Sequence, residues 1–246
     1  MSERPVLHFL DIANRSCIYR LDFSDTFKVL VGSDETEFTV PREVLTKSSD
    51  VLRKCCEGEW KEAKSRIIKL PEEDVDVFST YIQWLHTNDL VVVEEELQDM
   101  TDRDFDIRND AAALQWDALV NMASFADRQA DLTLANAVND SILLVMMNTD
   151  LVPAPKFLSQ IYTELPENSK LRCMVVDEAV YSDAKDYQAD QEDHPTQFFL
   201  DIWARLQRAR DDENDRLEKP KWNTRCHYHE HNVQVPKTSK CTGKRQ

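Results

Sequence analysis

Glycine is nearly absent from this chain: 246 residues contain three, Gly32, Gly58 and Gly243. Loops that wrap phosphate in backbone N–H groups, dinucleotide fingerprints and strained nucleophile elbows all depend on glycine, so these chemistries are excluded. Long apolar runs are missing too. No window approaches the roughly 18 to 20 apolar residues a membrane helix requires, and Met1 to Arg15 lacks a basic segment followed by an apolar one. The expectation is a protein of the cytoplasm or nucleus with no membrane partner. No fixed-period repeat is visible, which excludes propellers and solenoids. With no export signal, the six cysteines read as reduced thiols rather than a disulfide framework, and the adjacent Cys55 and Cys56 read as small apolar residues ending a helix.

Basic charge is scarce as well. Thirty Lys and Arg against 46 Asp and Glu leave a formal charge of −16, which argues against general binding to a phosphate backbone. The charge is unevenly spread. Residues 219–246 hold seven basic side chains and one acid, so this tail carries +6 and the preceding 218 residues −22, together the chain's −16. A contact to nucleic acid, if there is one, would run through that tail.

What remains is patterned. Phe27 to Gly32 is a β-branched apolar run closed by glycine, and Glu37 to Val40 alternates polar and apolar residues, which predicts a hairpin turning over Ser33–Thr36. Pro41 suits the first turn of a helix containing Val44 and Leu45, and the polar cluster Ser48–Asp50 separates it from a second short helix with Val51 and Leu52. Ile67–Leu70 predicts a third strand. Pro71 and the acids after it open a helix that buries Val77, Tyr81, Trp84 and Leu85, and Leu90–Val93 suggests a short fourth strand. Residues 94–110, with eight acids and two bases, have the composition of a solvated insertion. Leu114, Ala118, Met122 and Phe125, then Leu134, Val138, Ile142 and Val145, predict a helical hairpin turning near Asp131. A weaker helical block over 155–180, with Phe157, Ile161, Leu171, Val175 and Val176, precedes an acidic stretch, Asp183–Asp193, and a helix over Thr196–Leu206 that can run on into Arg208–Glu218.

Several of these segments resemble the BTB/POZ family. Phe27–Gly32 is similar to its first strand, Phe38–Leu45 to its F-x-V-H-x-x-x-L start of a helix, Ser49 to the serine that follows, Ile67–Asp74 to its strand-to-helix step, and Tyr81–Thr87 to its F-x-x-W-L-Y-T helix end. Pro41 stands where the family usually has histidine, which removes whatever that histidine does while still suiting a helix start. Leu171-Arg172 and the run Cys226–His231 resemble the C-terminal extensions of fungal members. The resemblance implies an α+β fold with a small sheet and flanking helices. It divides the chain into an N-terminal segment (1–23), a BTB/POZ core (24–147), a helical extension (148–218) and a basic Cys/His tail (219–246).

The resemblance also implies a non-catalytic protein-binding role. Many members oligomerise, and many are substrate adaptors that dock a cullin-3-type ubiquitin ligase through a hydrophobic-x-glutamate element between the second helix and third strand. Trp60-Lys61-Glu62 occupies that place here, so Trp60 would fill a partner's pocket and Glu62 fix its orientation. The plainer reading has Trp60 capping the domain's own core, leaving a self-assembling scaffold or regulator without ligase docking. Homodimerisation is expected through the first helix and the N-terminal apolar residues Val6, Leu7, Phe9, Leu10 and Ile12, which can equally pack on the chain's own extension.

One constellation carries a different chemistry. In an extended segment His229 and His231 would point the same way, and with Cys226 and Cys241 could complete a tetrahedral structural zinc site. His227, His229 and His231 would also share a face and, with water, resemble a catalytic zinc centre. The alternative is a flexible polar tail with no metal. No Ser, His and Asp residues are spaced as a nucleophilic triad.

Overall fold

A computed structural model describes residues 24–88, 90, 105–149, 153–181, 194–211 and 222–231. The fold is mixed α and β, a small three-stranded sheet flanked by helices and continued by further helices. Strands β1 (Thr26–Val31) and β2 (Thr36–Pro41) form the expected antiparallel hairpin, with Val29 opposite Phe38. Its turn needs left-handed backbone at Gly32 (φ 75°) and Glu35 (φ 53°), and a side chain on Gly32 would also press on Val75 at 3.4 Å. Strand β3 (Ile67–Leu70) pairs parallel to β1 on its other edge, giving the order β2-β1-β3.

The period-two pattern of β1 sends Phe27, Val29 and Val31 to one buried face. Helices α1 (Arg42–Leu45), α2 (Asp50–Cys56) and α4 (Val75–Thr87) supply Val44, Leu45, Leu52, Phe78, Tyr81, Trp84 and Leu85 to the same core. Between α2 and β3 lies a single turn, α3 (Lys61–Ser65), ended by Arg66 in the left-handed region. Pro41 is the last residue of β2 and the N-cap of α1 rather than a residue of its first turn. In α4 the buried set starts from Phe78, which packs on Phe38, Tyr81 and Phe125, while Val77 is only half-buried; the side chain of Asp74 caps the helix.

Helices α5 (Phe105–Arg128) and α6 (Leu132–Thr149) make the predicted hairpin, turning at Ala130 and Asp131. The anticipated insertion 94–110 is helical from Phe105 onward, so its last acids belong to the first turns of α5. The predicted apolar stripe of α5 is also displaced: Leu114 and Ala118 are exposed, whereas Trp116, Leu119 and Val120 are buried. Every residue from Met122 to Ala126 is buried because α4, α6 and α7 (Pro155–Glu164) all pack on α5. That crowding overrides the single-face pattern.

The block over 155–180 resolves into α7 and α8 (Lys170–Tyr181), and α9 spans Thr196–Asp211. Phe157, Ile161, Leu171, Val175, Val176 and Phe198 join the sheet-side residues in one continuous apolar cluster, so the extension shares its core with the strands. A 3-10 segment, Trp222–Tyr228, closes the described chain. Leu90 is not in a strand; 91–93, the stretch Asp183–Asp193, the run beyond Asp211 toward Glu218, and the apolar residues Val6 to Ile12 lie outside the described residues. Among the described residues no helix is long and apolar enough to cross a membrane.

Candidate functional site

Polar side chains converge beneath the tip of the α5–α6 hairpin and hold the α2 corner in place. The Asp131 carboxylate accepts from Ser48 Oγ (2.5 Å), Tyr81 OH (3.1 Å) and the Leu134 backbone N–H (2.9 Å), capping α6 while gripping α4 and the loop before α2. Burial, and next the Asp131 charge, push the Tyr81 phenol up, so it stays a neutral donor. Ser49 donates to the Gln129 carbonyl (2.8 Å) and accepts from Leu52 N–H (3.0 Å), capping α2. Buried Glu73 accepts from Arg128 Nη2 (2.6 Å), Arg128 Nε (3.1 Å) and Gln129 Nε2 (3.0 Å).

From that fixed base the chain leaves α2 through Gly58, whose φ of 80° favours glycine, and turns outward into α3. Trp60 is the N-cap of α3 and stands 67% exposed. An indole covering its own core would be buried, so the plainer reading of this tryptophan fails. Glu62 lies half-buried in the first turn of α3, close enough to Cys55 that, after burial, its charge raises that thiol. Ile67, 37% exposed, follows directly on edge strand β3. The corner therefore offers a large apolar side chain with a carboxylate two residues on and, among the described residues, an edge strand beside it.

The Cys/His segment is not the extended strand that both metal-binding readings presume. It is a 3-10 turn from Trp222 through Tyr228, so strand alternation does not relate His227 to the residues after it, while the rings of His229 and His231 lie 6.1 Å apart. Tyr228 and His229 are buried. The Tyr228 phenol donates to Asp177 (3.0 Å) on α8, and burial with the Asp177 charge pushes it up. His229 Nε2 is bonded to Asp140 Oδ1 (2.9 Å), while Asn139 donates to the Tyr228 carbonyl (2.8 Å). Asn136 clasps Glu230 in both directions, accepting from its N–H (2.7 Å) and donating to its carbonyl (2.9 Å).

This docking bears on the proposed ligand sets. His229 is buried with its Nε2 on Asp140, and its ring stands 6.1 Å from that of His231. His227 is exposed, with its Nε2 3.9 Å from Asp177. Cys226 Sγ and His231 Nε2 do meet, at 3.5 Å on the surface, but Cys241 lies outside the described residues. Among the described residues no three His, Cys, Asp or Glu side chains are grouped to hold a metal.

The helix partners of this clasp carry a signal in the sequence. Asn136, Asn139 and Asp140 stand at helical i, i+3, i+4 spacing and so share one face of a helix that is otherwise strongly apolar. A polar face on such a helix asks for a polar partner. No protein-family model matches the chain, and no curated protein matches it.

Proposed function

We propose that this protein is a non-catalytic protein-interaction module of BTB/POZ type whose docking point is the α2–α3 corner. The observation that carries the reading is the exposure of Trp60, a large amphipathic side chain presented at a tight corner whose base is pinned by Ser48, Ser49 and Asp131. Fully burying a tryptophan removes on the order of 200 Å² from water, and residues of this type dominate binding energy at interfaces. Glu62 would set register through a charge-assisted hydrogen bond to a cation or N–H of the partner. The sharper form of the proposal is a substrate adaptor docking a cullin-3-type scaffold, which fits the resemblance of the hydrophobic-x-glutamate element.

Titration of the full chain with the N-terminal region of a cullin-3-type scaffold tests this directly. Binding by the wild type, weakened by at least about tenfold in Trp60→Ala and less in Glu62→Ala, is expected for an anchor residue and its orienting partner. A wild type that does not bind removes the ligase adaptor reading. Binding unchanged by Trp60→Ala removes the corner as the docking point.

A further inference from the structure

The segment that carries the histidines is held the way a receptor holds a peptide. Hydrogen bonds reach it from α6 and α8, and those of the two asparagines go to its main chain: Asn136 accepts from the Glu230 N–H (2.7 Å) and donates to the Glu230 carbonyl (2.9 Å), and Asn139 donates to the Tyr228 carbonyl (2.8 Å). Main-chain bonds of this kind supply affinity for a peptide of the same path, and side-chain contacts supply specificity. Two such contacts are present, the Tyr228 phenol on Asp177 (3.0 Å) and His229 Nε2 on Asp140 (2.9 Å). The third side chain of the run fits poorly. Half-buried Glu230 borders a cavity of about 210 Å³ whose walls include Ala126, Ala135, Leu165 and Leu171, with the exposed Asp127 at its rim. Burial, and then the Asp127 charge, raise the Glu230 carboxyl, while Lys170 acts in the opposite sense and more weakly. Among the described residues no cationic side chain forms an ion pair with Asp127. A long aliphatic side chain ending in a positive charge suits this place better, its stem on the alanine and leucine wall and its head on Asp127 at the water's edge.

We infer that this groove is a peptide-recognition site and residues 226–231 its built-in ligand, exchanged for a partner segment that presents Tyr-His-Lys where this chain has Tyr228-His229-Glu230. Such a segment repeats every bond that α6 and α8 make to the chain's own residues. It also replaces a carboxylate facing a like charge with a cation facing an opposite one, and that difference is what favours the exchange.

The built-in ligand is joined to α9 through residues 212–221, a tether short enough to hold it at an effective concentration on the order of millimolar. A partner segment must outcompete that concentration, so the gain at the third side chain decides the outcome. Helix α9 keeps its own hold on α8 through Arg205 on Asp177 (2.7 Å) and Asp201 on Arg172 (3.3 Å), bonds that do not pass through the exchanged segment. The groove uses neither Trp60 nor Glu62 and is independent of the docking proposed above.

Fluorescence anisotropy of labelled peptides spanning 222–232, titrated with the full chain, tests this. The Glu230→Lys peptide is expected to bind at least about tenfold more tightly than the unchanged peptide, and Asp127→Asn in the chain to remove most of that difference. Glu230→Pro in the chain deletes the N–H that Asn136 accepts, weakens the built-in ligand and raises the affinity for both peptides by at least about tenfold. His229→Ala, which gives up the bond to Asp140, is the second opened variant, and circular dichroism establishes which of them is folded. A Glu230→Lys peptide that binds neither the wild type nor a folded opened variant overturns the inference. Equal affinities for the two peptides overturn it, as does a preference for lysine that survives Asp127→Asn. So does binding that no folded opened variant strengthens, since the peptide then sits elsewhere on the surface.

Discussion

Trp60 and Tyr228 are both large amphipathic aromatics in short segments rich in reactive residue types, and the fold treats them in opposite ways. Trp60 stands 67% exposed at a corner whose backbone is fixed from below, whereas Tyr228 is 3% exposed with its phenol on Asp177 and its carbonyl on Asn139. The apolar surface of Tyr228 is already used in holding the fold together; that of Trp60 is still available to a partner. A side chain that stabilises the fold and one that is free to bind cannot be told apart by residue type or by neighbours in sequence. Burial and the pairing of the polar end decide.

The largest expected effect breaks the comparison if it fails. Tyr228→Ala removes a fully buried aromatic ring and leaves Asp177 without one donor, so a loss of about 3 to 5 kcal/mol in unfolding free energy is expected, measured by urea or thermal denaturation. Arg205, 2.7 Å from the same carboxylate on its other oxygen, limits the cost of the lost donor. A loss under about 1 kcal/mol, as for a typical surface site, would mean that residues 222–231 do not share in the fold, and the contrast with Trp60 would collapse.

A smaller effect sharpens the same side. Burial, followed by the nearby Asp127 charge, raises the Glu230 carboxyl above its ordinary value of 4.5. A raised carboxylate pKa means the folded state holds its proton more tightly than the unfolded state, so stability falls as pH rises from about the unfolded value through the folded one, and the penalty persists above it. Glu230→Gln keeps the shape and removes the charge. Its thermal midpoint should match the wild type below pH 4.5 and exceed it at neutral pH, the gap opening across that window. A gap of equal size at all pH values would locate the effect in packing rather than in ionisation.

These two regions also show how far the sequence could be read. Strands and helices with a clean period were legible: β1 from the alternation Phe27, Val29, Val31, and α6 from Leu134, Val138, Ile142 and Val145, all buried. The phase of α5 was not, because a helix packed on three sides buries nearly every residue over one turn, and Leu114 then matches the periodic pattern while standing in solvent. Trp60 could be placed by its spacing, but its exposure depends on the outward path after Gly58. The conformation of the Cys/His segment was not legible, for a physical reason. Alternation presumes an extended strand, whereas the partners that hold the segment, Asn136, Asn139, Asp140 and Asp177, come from helices 51 to 94 residues earlier in the chain.

The smallest expected effect bears on Trp60, and its smallness is the point. Trp60 makes no side-chain cap bond to α3 although it occupies the N-cap position, so Trp60→Ala forfeits no capping hydrogen bond. Most of its surface is in water already, so little apolar burial is lost. The corner's shape rests on the backbone of Gly58 and on the bonds of Ser48 and Ser49 to the hairpin tip; the indole lies beside Gly58, but its removal breaks none of those bonds. The unfolding free energy should change by less than about 0.5 kcal/mol, against several for Tyr228→Ala. If instead Trp60→Ala costs more than about 2 kcal/mol, the indole is part of the core's support and the corner loses its claim as a docking point, since any binding defect would then follow from the fold. Stability left intact together with binding lost is the pair of results that separates a side chain kept for a partner from one spent on the protein itself.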